Sequence, residues 1–180
     1  MSKRVLCLLF PGFEEIEALT PVDLLRRAGA QVTIASLTGD RLVTGRCGVT
    51  VQADATLAEV VTREFDLLLL PGGPGVEMLR RDGRPARLAR EFTQAGKTVA
   101  AICAAPTVLA DAGLLTDKRF TAHVSVHGEL AQALGNERVV EDGLLITSRG
   151  AGTALDFGMA LVRQLFGDAV KQDVAKAIMA

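Results

Sequence analysis

Three short runs of this chain are apolar at nearly every position, and each ends abruptly. Val5 to Phe10 stops at Pro11-Gly12, Phe65 to Leu70 at Pro71-Gly72-Gly73-Pro74-Gly75, and Thr98 to Cys103 at the start of a helical pattern. A strand that is apolar on both faces must be covered on both, as inside a parallel sheet. Segments of helical spacing lie between the runs. Glu14 to Ala28 carries Ile16, Leu19, Val22, Leu24 and Leu25 and stops at Gly29; Pro21 should kink or restart it. Gln31 to Leu37 reads as a strand, Val43 to Asp54 as a small hairpin or edge ribbon, and Leu57 to Thr62 as a short helix. Pro85 to Ala95 reads as a helix capped by Gly96, and the helix after Cys103 ends at Gly113. Arg119 to Ala122 is expected to be a strand and His127 to Leu134 a helix. Arg138 to Glu141 and Leu144 to Ser148 flank Asp142-Gly143, a hairpin signal. Gly152 to Phe166 and Asp168 to Met179 are the closing helices. This alternation predicts an α/β fold with an open, mostly parallel sheet and helices on both faces.

The 180 residues suit one domain, 1–180, with no linker or repeat. Its core must be aliphatic, since 49% of residues are apolar but only 7 are Phe and none is Trp or Tyr. A net charge of -1 gives no electrostatic case for nucleic acid or an anionic membrane. The 3 cysteines are widely spaced without a Cys-x-x-Cys pair, and there are 2 His. Neither a metal site nor a disulfide framework is expected from them. The apolar stretch after Met1-Ser-Lys-Arg is about seven residues, too short for a membrane span. Pro11-Gly12 and glutamates follow it, not a cleavage site, so a cytoplasmic, reducing location is the expectation.

In a sheet of this kind the functional crevice lies at the carboxyl ends of the strands. That directs attention to Pro11–Glu17, Pro71–Gly75, Cys103–Pro106 and Arg149–Thr153. Cys103 sits at a strand-to-helix junction, with Pro106 in the first helical turn. Such a junction aims helix N-terminal dipoles at the sulfur and favours a thiolate near neutral pH. A free cysteine is also a common small core residue, so position alone leaves both readings open. Gly72 and Gly73 could aim backbone N–H groups at an oxyanion or merely form a turn. Glu14 and Glu15 are explained by the helix dipole. Glu17 differs, because its neighbours are Ile16, Ala18 and Leu19; facing the crevice, it would hold a raised pKa and shuttle a proton beside the thiol. His123 is either structural or an orienting group. Gly150 and Gly152 open the long helix as a tight turn lining the site. Cys7 reads as inert core, and Cys47 as exposed and oxidisable.

Five stretches together resemble the ThiJ/PfpI superfamily, in the branch of the parkinsonism-associated protein deglycase and its bacterial relatives. They are Pro11-Gly-Phe-Glu-Glu-Ile-Glu17-Ala, Leu70-Pro-Gly-Gly73, Ala100-Ala-Ile-Cys103-Ala-Ala-Pro106-Thr, Thr121-Ala-His123 and Thr147-Ser-Arg-Gly-Ala-Gly152-Thr. The resemblance implies a flavodoxin-like three-layer sandwich, a homodimer and no cofactor. It implies that Cys103 is an oxidation-prone nucleophile and Glu17 its protonated partner. Gly72, Gly73 and Ala104 would form the backbone pocket, with His123 nearby. Val124 and Ala151 stand where proline is frequent in the family. Ala104 replaces the histidine of the proteolytic branch, which argues against a peptidase. Glu17 replaces the aspartate of isocyanide hydratases. The implied activity is of glyoxalase III or deglycase type, on small dicarbonyls. The alternative is a redox-sensing stress protein or chaperone in which peroxide oxidises Cys103 without turnover.

Overall fold

In a computed structural model of the chain, which describes residues 2–180, the apolar runs pair side by side. The elements in order are β1 (Arg4–Leu9), α1 (Glu15–Arg27), β2 (Gln31–Ser36), β3 (Leu42–Thr44), β4 (Thr50–Gln52), β5 (Ala55–Thr56) and α2 (Leu57–Val60). Then come β6 (Leu67–Leu70), α3 (Val76–Asp82), α4 (Arg84–Gln94), β7 (Thr98–Ile102) and α5 (Pro106–Asp111). The chain closes with β8 (Val139–Asp142), β9 (Leu145–Ser148), α6 (Ala154–Phe166) and α7 (Asp168–Ala177). Seven strands form one sheet in the order β5-β2-β1-β6-β7-β9-β8, parallel except for the β8–β9 hairpin. β3 and β4 make a separate antiparallel ribbon.

Burial explains the apolar runs. In β1, β6 and β7 every residue from Val5 to Leu9, Leu67 to Leu70 and Val99 to Ile102 is buried. These strands occupy the middle of the sheet, with helices on both faces: α1 packs on α6 and α6 on α7, while α3, α4 and α5 pack on one another. The fold is therefore the expected α/β three-layer arrangement. The chain moves outward from β1 to β2 and then returns to build β6, β7 and β9 on the other side. The switch point lies between β1 and β6, and the loops leaving their carboxyl ends meet there.

The structure departs from the sequence reading in four places. Pro21 does not restart α1, which runs unbroken from Glu15 to Arg27. Residues 119–122 do not form a strand. Side chains hold the segment instead: Thr121 N–H donates to Thr147 Oγ1 (2.9 Å), and Arg119 N–H to Asp142 Oδ2 (2.9 Å). Residues 127–134 do not form a helix; one 3-10 turn spans Val124–Val126 and further turns follow. Gly128 lies within that stretch and Gly135 just after it, which weakens helical propensity, and His127 Nε2 is bonded to Ala122 O at 3.1 Å. Finally, α3 follows the glycine–proline loop directly, where that loop hides its short pattern. No helix among the described residues is long and apolar enough to cross a membrane.

Candidate active site

The loops after β1, β6 and β7 meet at one cleft of about 440 Å³. Glu17, Gly73, Cys103, Ala104 and His123 all line it, together with Ala151. Five of the eight residues singled out in the sequence are thus brought to one surface. Gly72 and Gly150 lie just behind it: a Cβ on Gly150 would be 3.3 Å from the His123 ring and 3.9 Å from Glu17 Oε1. Gly152 is set apart in a neighbouring groove, where its carbonyl accepts from Arg138 (3.0 Å).

Cys103 follows the last residue of β7 with φ at +66°, in the left-handed region. A side chain there is strained by about 1–3 kcal/mol, and such strain gathers where a nucleophile must be presented. Its backbone is held on both sides. Cys103 N–H donates to Ser148 O (2.9 Å), and Cys103 O accepts from His123 N–H (2.9 Å). The turn therefore aims a partly exposed sulfur into the cleft.

Glu17 is 1% exposed, on the first turn of α1. Its Oε2 accepts from Gly72 N–H at 2.9 Å, and its carboxyl shares a hydrogen bond with the Cys103 thiol. Gly72 is confined by this contact. A Cβ there would stand 2.6 Å from Cys103 Cβ and from Glu17 Oε2, and 2.8 Å from Ile102 O. The Gly72 amide thus orients the carboxyl, not a substrate oxyanion as expected. The amides that face the sulfur are those of Gly73 and Ala104.

The electrostatics agree with the sequence reading at Glu17 and differ from it at Cys103. A thiol acidified by a helix N-terminus was expected; α5 is short, and burial dominates. Burial pushes the Glu17 carboxyl up to about 7, against hydrogen bonds from Cys103 and Gly72 that favour its anion. Burial likewise pushes the Cys103 thiol up to about 12, and the charge of Glu17 adds to the rise. The second value is therefore the loss of a proton beside an already ionised carboxylate. Between the two, the pair holds a single proton. Two backbone N–H groups face the sulfur and one faces the carboxylate. That asymmetry favours placing the pair's negative charge on sulfur and its proton on Glu17.

His123 completes the wall. Its Nδ1 accepts from Ser125 N–H (3.2 Å) and lies 2.8 Å from Ser125 Oγ. A ring nitrogen that accepts from a backbone N–H carries no proton, so a neutral ring bears it on Nε2. Cys7 is buried in β1, and burial pushes its thiol up to about 12, consistent with inert core. Cys47 is exposed in the ribbon, as expected.

Arg46, Glu14 and Ser125 are among the lining groups that sequence reasoning missed, as are Glu77, Arg80 and Thr107. Arg46 enters because the ribbon folds back over the β1–α1 loop, through Arg46 N–H to Phe13 O (2.8 Å) and Gly12 N–H to Thr44 O (2.9 Å). Glu14, assigned to the helix dipole, is 7% exposed and lies 3.3 Å from the Arg46 guanidinium. Ser125 enters through the unforeseen 3-10 turn. Of the first three, only Glu14 carried a local signal, as one of three carboxylates within four positions. The ribbon's placement is a long-range contact with no local signature.

The sequence pattern of the DJ-1/PfpI family matches residues 3–164. Protein dj-1beta of Drosophila melanogaster is 40% identical over 183 residues, covering 99% of this chain and 98% of that protein. The crystal structure of Drosophila melanogaster DJ-1beta superposes with a TM-score of 0.96, at 40% identity over 100% of this chain and 99% of that one. An oxidized form of Toxoplasma gondii DJ-1 gives a TM-score of 0.93 at 30% identity, covering 99% and 98%.

Proposed function

The chain belongs to the DJ-1/PfpI family, and from that premise we propose that it is a cofactor-independent cysteine enzyme of glyoxalase III or deglycase type. One observation carries the reading. A nucleophile in a strained turn shares a single proton with a carboxyl that burial holds near neutrality, up to about 7. The substrates are small 1,2-dicarbonyls such as glyoxal and methylglyoxal, or their early adducts with amines and thiols.

The Cys103 thiolate attacks the aldehyde carbon, and a C–S bond forms as the carbonyl π pair moves to oxygen. The Gly73 and Ala104 amides stabilise that oxygen, with His123 assisting. Glu17 supplies its proton and then carries one from C1 to C2, which converts the hemithioacetal into a thioester of the hydroxy acid. Water cleaves the C–S bond, releases the acid and restores the thiol. The net change is addition of one water, with no external oxidant or reductant.

Lactate production from methylglyoxal tests this directly. Wild type should turn over, while Cys103→Ala and Glu17→Gln should each lose about a hundredfold or more. No turnover by wild type would overturn the reading. A second reading has its own support, because a family member has been seen oxidized. In it, peroxide converts Cys103 to a sulfinate that the Glu17 proton stabilises, and the chain acts as a redox sensor or chaperone. Mass spectrometry after dilute peroxide separates the two: selective gain of two oxygens on Cys103 without turnover favours the sensor.

We also propose a homodimer in a reducing, cytoplasmic setting. Ile16 on α1 is 52% exposed and Leu155 on the adjoining α6 is 42% exposed, an arrangement that a second copy would cover. Light scattering should report twice the 19.0 kDa chain mass and revert to a monomer in Ile16→Glu; a wild-type monomer would contradict it.

A further inference from the structure

Beside Arg46, the ribbon carries a second group of side chains that the chemistry above leaves unused. One oxygen of Glu14, one of Glu15 and the Cys47 sulfur lie within 4.8 Å of one another. Glu15 is 8% exposed, and its Oε2 is buried without a hydrogen-bond partner among the described residues. The other oxygen is fully engaged, since Oε1 accepts from Cys47 N–H (2.8 Å) and Val49 N–H (3.3 Å). The ribbon closes tightly over this carboxylate: a Cβ on Gly45 would stand 2.5 Å from Glu15 Cδ and Oε1. One buried oxygen of the Glu15 carboxyl is thus left without a hydrogen-bond partner among the described residues. Such an oxygen is rare because it is unfavourable, and a bound cation relieves it.

We propose that Glu14, Glu15 and Cys47 form a binding site for a zinc-type divalent cation, with water completing the shell. The donor set selects the ion. Two carboxylates and a thiolate suit borderline Zn2+, whereas Mg2+ and Ca2+ take oxygen ligands alone. Ligand atoms around tetrahedral Zn2+ lie about 3.5 Å apart, so rotation of the exposed Cys47 side chain closes the set. Binding forms a Zn–S bond and releases the thiol proton to solvent. It also draws on Glu14, the partner of Arg46, and so links the ion to the charge at the mouth of the cleft.

The test titrates Zn2+ alone into the full chain against a chromophoric chelator, with Co2+ as the optical reporter. The expected result is one ion per chain and a near-ultraviolet thiolate-to-cobalt band. Both persist in Cys103→Ala, which separates this site from the nucleophile. Affinity falls about tenfold or more in Cys47→Ser and in Glu15→Gln. Cys47 is exposed, so its serine variant keeps the fold, as its melting temperature would verify. The proposal is overturned if wild type binds no Zn2+ at micromolar concentration. It is equally overturned if Cys47→Ser binds as wild type does while Cys103→Ala loses the ion.

Discussion

The backbone of Cys103 sets up its reactivity before any partner acts. A φ of +66° is unfavourable for a residue with a Cβ, and bonds to Ser148 O and from His123 N–H hold it in place. Removing the side chain should show this strain. Cys103→Gly is expected to be about 1 kcal/mol more stable than Cys103→Ala, because alanine keeps the Cβ in the left-handed region and glycine does not. Urea unfolding of the two variants measures the difference; equal midpoints would mean that the turn is unstrained. The sequence pointed to this residue through its place between an apolar strand and Pro106. It also pointed to Glu17, as a carboxyl among apolar neighbours. It anticipated a raised Glu17 carboxyl but not that burial also raises the Cys103 thiol, which it expected a helix terminus to acidify. The loop after β6 explains why Gly72 orients the carboxyl and leaves the sulfur to Gly73 and Ala104.

Elements were legible wherever the pattern was long or fully apolar. β1, β6 and β7 carry buried side chains on both faces, and α1 and α6 have clear helical spacing. Legibility failed between residues 119 and 134, where bonds through Thr121, Asp142 and His127 override local propensity. A restart at Pro21 also did not occur, since it sits inside an unbroken α1. The α1–α6 contact shows how closely these two helices pack. A Cβ on Gly158 of α6 would stand 2.5 Å from Leu24 Cδ1 and 3.1 Å from Pro21 Cα. Leu24 can swing aside, but the Pro21 backbone cannot. Gly158→Ala should therefore lower stability by about 1–3 kcal/mol, despite the higher helix propensity of alanine. Denaturant unfolding checks this, and a gain in stability would show that the helices can separate without loss.

At the scale of the whole molecule, topology makes the site. β1 and β6 are adjacent because the chain reverses direction across the sheet, and that reversal brings Glu17, Gly72 and Cys103 together from three separate stretches. Sequence order alone places them 55 and 31 positions apart, from Glu17 to Gly72 and from Gly72 to Cys103. The ribbon bearing Arg46 adds a fourth stretch that no local pattern announced. The central claim is that this convergence leaves Glu17 and Cys103 holding one proton between them, with the negative charge on sulfur. The near-ultraviolet absorbance of the thiolate, followed against pH in a Cys7→Ser, Cys47→Ser background, tests it most directly. The account predicts that thiolate appears as pH rises through about 7, where the pair loses its first proton. It also predicts that Glu17→Gln removes that step, since a single titrating thiol then remains. Thiolate appearing only above the ordinary thiol range, at the same pH with and without the Glu17 carboxyl, would contradict it.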